Sequence, residues 1–203
     1  MKKPLAILAV TAALIPACLS ASSQKVAAPD DAAIWAQEGL DYYDDEDYAS
    51  AVQMFEKAAG KGHIGAQAML GAIYYYGVGR AADYYKAHIY LKPAAESGDA
   101  GAQRLLGQMY RDGDYVEQSD AKALEWLEKS ANGGDTRAQV LIGDIYLKGK
   151  GAEVDRAKAF YWFTRANEND KTLDSILEYL TVQMDNEESR KAYKFINEWK
   201  AEK

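Results

Sequence analysis

The sequence predicts an all-α fold, a solenoid of stacked helix-turn-helix units closed by a C-terminal helical cap. Three observations predict it. Residues recur every 36 positions: Ala51, Ala87, Ala123 and Ala159 are each followed seven residues later by Ala58, Ala94, Ser130 and Ala166. In the same register come Gly62, Gly98 and Gly134, then Gly71, Gly107 and Gly143, then Tyr74, Tyr110 and Tyr146, and the dipeptides Ala66-Gln67, Ala102-Gln103 and Ala138-Gln139. A period of that length marks a repeat architecture in which each unit buries its apolar face against its neighbours. Second, each period carries two stretches with apolar residues at helical spacing. Third, a chain of 203 residues that is 48% hydrophobic and 27% charged, with four Pro, has globular composition.

The elements follow in order. Residues 1–17 read as a secretory leader: Lys2 and Lys3 precede an uncharged run from Leu5 to Ala17. As a helix that run would be about 20 Å long, short of a hydrocarbon core of about 30 Å. The sole Cys, Cys18, follows in Leu14-Ile15-Pro16-Ala17-Cys18. This run resembles a bacterial lipobox, although Pro16 is an unusual occupant. The resemblance implies cleavage before Cys18 and acylation of its thiol, giving a membrane anchor of two or three chains. Leu19 after the Cys implies the outer membrane. The alternative is cleavage near Ser20-Ala21-Ser22 and a soluble periplasmic product. Residues 18–30, small and polar without periodicity, read as a tether.

Residues 31–170 hold four repeats, each expected to be a helix A followed by a helix B. Helix A is typified by AQAMLGAIYYYG from Ala66, where Ala, Leu, Gly and Tyr share one stripe. Helix B is typified by KALEWLEKSA from Lys122, with small residues for close approach. Its bulky residues (Phe55, Tyr90, Leu91, Trp126, Leu127, Trp162, Phe163) fill the space between layers. Gly62, Gly98 and Gly134 sit where a left-handed cap ends helix B. Gly77-Val78-Gly79 and Gly149-Lys150-Gly151 punctuate the A-to-B turn, whereas the third unit has Asp112-Gly113-Asp114-Tyr115, so its turn is expected to differ. Residues 171–203 read as a cap of two helices. Leu173, Ile176, Leu177, Leu180 and Met184 form one stripe, Ala192, Phe195, Ile196 and Trp199 a second, with a break at Asp185-Asn186. The outer face is polar, as a terminal unit requires.

The pattern of Ala66 to Gly98, Ala102 to Gly134 and Ala138 to Asp170 resembles the Sel-1-like repeat, a relative of the tetratricopeptide repeat with a longer loop between its helices. From Gly39 to Ala51 is 12 residues, where Gly71 to Ala87 is 16. The first unit therefore looks tetratricopeptide-like, with three Sel-1-like units after it. The resemblance implies a right-handed superhelix whose A helices line a concave, partner-binding groove.

Composition and motif narrow the function. With 24 basic against 31 acidic residues, net −7, the chain lacks the basic face a nucleic-acid binder needs. One Cys and two His exclude a structural disulfide within the chain, a Cys-based zinc site and a three-His metal site. No G-x-S-x-G, H-E-x-x-H, P-loop or G-x-G-x-x-G occurs. The acidic run from Asp41 to Asp47 lacks the turn Gly of a calcium loop and reads instead as the start of a helix B. His63 and His88 read as packing or surface residues. Catalytic residues, metals and cofactors are expected to be absent.

The expected function is a non-enzymatic adaptor in the bacterial cell envelope that binds a peptide or protein partner. Carried over from the tetratricopeptide fold, the groove positions are Tyr43, Tyr75, Tyr76, Arg104, Gln108, Arg111 and Asp144. Tyr and Arg are enriched where interfaces carry most binding energy. Two alternatives stand beside it: an envelope hydrolase or cell-wall-modifying protein, related to β-lactam or peptidoglycan chemistry, and a structural lipoprotein touching peptidoglycan. Secreted Sel-1-like proteins linked to that chemistry are Cys-rich, while these repeats contain no Cys.

Overall fold

Helix-start residues set the register of the molecule. Asp47, Asp83, Ser119 and Asp155, 36 residues apart, each cap a helix B by accepting a hydrogen bond from a backbone N–H in its first turn. His63, Asp99 and Asp135 do the same for helices A, accepting from Ala66, Ala102 and Ala138 at 3.1, 2.7 and 2.8 Å. Each such cap satisfies an orphan donor and is worth about 1 kcal/mol. His63 is thus a helix cap through Nδ1, and Asp47 is the member of the acidic run that serves a helix start.

The computed structural model describes residues 30–168 and 171–202. The leader, Cys18 and the tether fall at residues 1–29, outside the described residues. Among the described residues are ten α-helices and no strand: α1 (Asp31–Asp44), α2 (Tyr48–Gly60), α3 (Ile64–Tyr76), α4 (Tyr84–Glu96), α5 (Ala100–Asp112), α6 (Asp120–Asn132), α7 (Thr136–Lys148), α8 (Arg156–Ala166), α9 (Asp174–Gln183) and α10 (Asn186–Ala201). A 3₁₀ turn, Lys171–Leu173, precedes α9. The expected all-α solenoid is what forms. Helices α1 to α8 pack as consecutive A–B pairs, and each B helix packs on the next A helix. Helix α3 also touches α5 directly, bringing two A helices together across a repeat boundary.

Close approach within each pair has one repeated cause. A Cβ built at Gly39, Gly71, Gly107 or Gly143 would stand 2.6, 2.5, 2.9 or 2.7 Å from Phe55, Leu91, Leu127 or Phe163. The missing side chain on helix A makes the hole that the bulky residue of helix B fills, and all four bulky residues are buried. Tyr90 and Trp126, one residue earlier, are only half-buried. Tyr90 stacks on Tyr74 at 5.9 Å, and Lys129 lies over Trp126 at 4.2 Å.

The third A-to-B turn does not differ in hand. Gly79 and Gly151 take φ of +66° and +98°, and Tyr115, at the matching place, takes +65°. The backbone path is kept, and a tyrosine bears the left-handed strain that glycine avoids. The first unit turns more sharply, through residues 45–47 rather than the seven-residue span 77–83, with Glu46 left-handed at +62°.

Past α8 the pairing changes. Both α9 and α10 pack on α8. The two do not pack on each other as a pair. A cleft of about 490 Å³ opens between them, bordered by Leu177, Tyr193 and Ile196. Leu180, Met184, Ala192 and Ile196 are the buried anchors. Asp185 and Glu188 form a reciprocal capping box at the start of α10. Lys191 reaches Asp155 at 2.7 Å, and Arg156 reaches Glu188 at 3.3 Å.

Candidate functional site: the A-helix face

The A-helix face is built from the ends of α3 and α5 and the start of α7. Three predicted residues meet there. Tyr76 Oη accepts from Arg104 Nη1 at 3.3 Å, and Gln108 Oε1 accepts from the same nitrogen at 3.1 Å. Arg104 Nε donates to Asp135 Oδ2 at 3.0 Å. Because Asp135 also caps α7, this one guanidinium joins the second, third and fourth units. It is 8% exposed. Burial works against its charge, but the hydrogen bonds to Tyr76 and Asp135 outweigh that and raise its pKa. Arg104 therefore acts chiefly as a clamp that positions Tyr76 and Gln108.

Tyr75 and Tyr76 meet edge to face at 5.0 Å, and Tyr75 meets Tyr84 at 5.7 Å. Tyr76 is 54% exposed. The Tyr75 hydroxyl is pushed up to about 12, first by burial and then by the negative charges of Asp112 and Asp114. Arg111 grips Asp112 at two points, 2.8 and 2.9 Å. That bond leads the causes that raise the Arg111 pKa. Asp144 accepts from Lys148 at 2.8 Å, and it shares with Arg111 a cleft of about 550 Å³ between the turn ends of the third and fourth units. Tyr43 stands apart, edge to face with Tyr48 at 5.3 Å. So Tyr75, Tyr76, Arg104 and Gln108 form one cluster, Arg111 and Asp144 border one cleft, and Tyr43 belongs to the first turn.

Two features escaped sequence reasoning. The buried Gln103 and Gln139 amides donate to the carbonyls of Ala95 and Ala131, each at 3.0 Å, closing the end of the preceding B helix. The recurring Ala-Gln dipeptide was their signal. A lysine also lies over each repeated tyrosine: Lys86 over Tyr74 at 4.9 Å, Lys122 over Tyr110 at 5.3 Å and Lys158 over Tyr146 at 4.6 Å. Their common spacing was legible, but the contact depends on how α4, α6 and α8 cross their partners.

Among the described residues no group of three or more His, Cys, Asp or Glu is placed to hold a metal ion, and no helix is long and apolar enough to cross a membrane. His88 is half-buried and tilted against Tyr115 at 5.4 Å. Its pKa is lowered by burial first and then by Lys92, against an opposing pull from Glu96.

Comparison with known proteins identifies the architecture. The Sel1 repeat model matches residues 32–63, 64–99, 100–135 and 136–171. The first unit is therefore a Sel1 repeat as well, not a tetratricopeptide unit, and its tight turn at residues 45–47 accounts for the shorter spacing. A search of curated proteins finds no match. Among solved structures, the chain is similar to c5321, a protective antigen present in uropathogenic Escherichia coli strains that displays an SLR fold: 30% identity, TM-score 0.67, covering 74% of this chain and 32% of that one. It thus spans about a third of c5321's length. It is also similar to a Sel1 repeat protein from Oxalobacter formigenes, with 27% identity and a TM-score of 0.68, covering 81% of this chain and 70% of that one. Sel1 repeats generally mediate protein–protein interaction and are typically non-catalytic. Four consecutive matches over most of the sequence, on a solenoid of paired helices, mean that this chain belongs to the Sel1 repeat family.

Proposed function

We propose that this protein is a non-enzymatic adaptor of the bacterial cell envelope that holds a peptide or protein partner along its A-helix face. The observation that carries this reading is the cluster at the second repeat boundary. Tyr76 is exposed, yet its hydroxyl is fixed by the buried Arg104, which is itself fixed by Asp135 and Gln108. An aromatic side chain presented on a rigid support loses little conformational freedom when a partner covers it. The lipobox-like run ending at Cys18 supports an envelope location, with outer-membrane anchoring facing the periplasm.

Site-directed photocrosslinking in intact cells tests the reading. A crosslinking residue at Gln108 or Asp144 is expected to capture a discrete protein that one at Glu125 or Lys57, on the B helices, does not. Equal capture from both faces, or capture from the B helices alone, overturns the groove. Replacing Cys18 with Ser is expected to release the protein from membranes. An unacylated N-terminus near Ser22 in the parent protein would instead make it soluble in the periplasm.

A further inference from the structure

The cleft between α9 and α10 combines an apolar base with a charge-balanced rim. Its volume of about 490 Å³ falls within the roughly 300–1,000 Å³ of small-ligand sites. The buried part of its lining is apolar: Phe160 from α8 and Ile196 from α10, with the half-buried Leu177 from α9. Tyr193 and Trp199 add aromatic walls. Tyr193 is 53% exposed and meets Phe160 edge to face at 6.0 Å, a contact that covers at most one face of the tyrosine ring. Trp199 borders this cleft and also a second one of about 560 Å³. Arg165, 5.3 Å over the indole, borders the second cleft and not the first.

The rim is polar. Glu168 and Asp174 supply two carboxylates, and Lys171 and Lys200 supply two ammonium groups, so these charges cancel. Asn197 adds an exposed amide. Tyr193, Asn197 and Lys200 recur at i, i+4 and i+7, so α10 presents a ring, an amide and a cation along one stripe. On the other wall, the buried Asn167 amide donates to Asp174 Oδ1 at 2.6 Å and fixes that carboxylate at the edge of the cleft.

This lining discriminates between ligand classes. An anion meets Glu168 and Asp174, a cation meets Lys171 and Lys200, and a wholly apolar ligand strips water from all four charges. An uncharged sugar chain suits every part of it. The C–H groups on the face of a pyranose pack on aromatic surface, while each hydroxyl at its edge both donates and accepts, and so can meet amide, ammonium and carboxylate alike.

We propose that the cleft bounded by α8, α9 and α10 is a binding site for an uncharged hexopyranose chain, with one sugar packed on Tyr193 and Trp199 and its hydroxyls bonded to Asn197, Lys200 and Asp174. The site uses none of the predicted groove residues and does not depend on the groove reading.

The test titrates the full-length chain with cellotetraose, chitotetraose, an acidic hyaluronan tetrasaccharide and an alternating Ser-Leu peptide, read by calorimetry and saturation-transfer NMR. At least one neutral tetraose is expected to bind, with saturation strongest on the C–H protons of one ring face. Cellotetraose alone marks a plain glucan as the ligand, chitotetraose alone an acetamido-sugar chain, and both the pyranose face they share. Tyr193→Ala and Asn197→Ala should each lower that affinity about tenfold, while Tyr193→Phe, which keeps the ring, and the remote Glu125→Gln leave it unchanged. Circular dichroism melting establishes that each variant is folded. No binding of either neutral tetraose, or binding that survives both alanine variants, overturns the site. Tighter binding of the hyaluronan fragment or of the Ser-Leu peptide overturns the ligand class.

Discussion

The first eight helices and the last two are built from similar side chains, yet they assemble differently. In the repeats, a helix A glycine receives a bulky residue of helix B, so each A helix is locked to one B helix in one register. Helices α9 and α10 carry apolar stripes of ordinary quality but no such hole. Both dock on α8, and Leu180, Met184, Ala192 and Ile196 join its buried apolar residues in one cluster. Charged contacts between Lys191 and Asp155 and between Arg156 and Glu188 hold α10 in place. The difference teaches that an amphipathic stripe brings a helix to a surface, while a steric lock decides which helix it pairs with.

The strongest way to break this distinction is to fill a hole. A Cβ at Gly71 would lie 2.5 Å from Leu91 and 3.2 Å from its backbone nitrogen. Gly71→Val is expected to destabilise by more than about 3 kcal/mol, and Leu91→Ala in the same chain should recover part of the loss. Chemical denaturation of the single and double variants reads this, and strictly additive losses would contradict the lock. Ala123→Trp comes next. Ala123 is 1% exposed on α6 and its carbonyl lies beside Gly107, so the indole should cost about 1–3 kcal/mol or more. An unchanged denaturation midpoint would mean that the helix crossing is looser than described.

The third variant addresses the C-terminal side. Asp155 caps α8 and pairs with Lys191, so Asp155→Ala should cost about 1–2 kcal/mol and raise hydrogen exchange in α10 more than in α1 to α7. Burial pushes the Asp155 carboxyl up, but the hydrogen bond from Lys191 and that from the Lys158 backbone outweigh it and hold the pKa below 3.8. A depressed carboxylate pKa contributes stability above the unfolded value, and that stability is lost as pH falls through the folded value. The parent should therefore lose α10 protection on acidification below about pH 4, and the variant should show less of that dependence. The smallest effect is expected at the first turn. Glu46 is exposed and left-handed at φ +62°. Glu46→Gly relieves that strain while loosening the unfolded chain, so a change within about 1 kcal/mol, toward stability, should appear in the melting temperature.

Much of this was legible. Recurrence of Ala, Gly and Tyr every 36 residues exposed the repeats, because every unit must meet the same neighbours in the same way. The glycines at 62, 98 and 134 marked helix ends because their backbone, at φ +82°, +96° and +93°, disfavours other residues. The A-helix positions were legible in the sequence, but what each of their side chains touches was not. Arg104 and Arg111 look alike in the sequence, yet one is a buried clamp over three units and the other an exposed ion pair with its own neighbour. Tyr84 gave no sign of belonging with Tyr75.

The sequence by itself determined the helices, their caps, the pairing within each repeat and the family, because all of these rest on contacts between residues close in the chain or one period apart. The tertiary structure alone decided that Tyr115 follows the glycine path, that α9 and α10 both dock on α8 and not on each other as a pair, and which charges on the A-helix face are neutralised. Those outcomes depend on how successive units stack, which sets distances between side chains that no local pattern specifies.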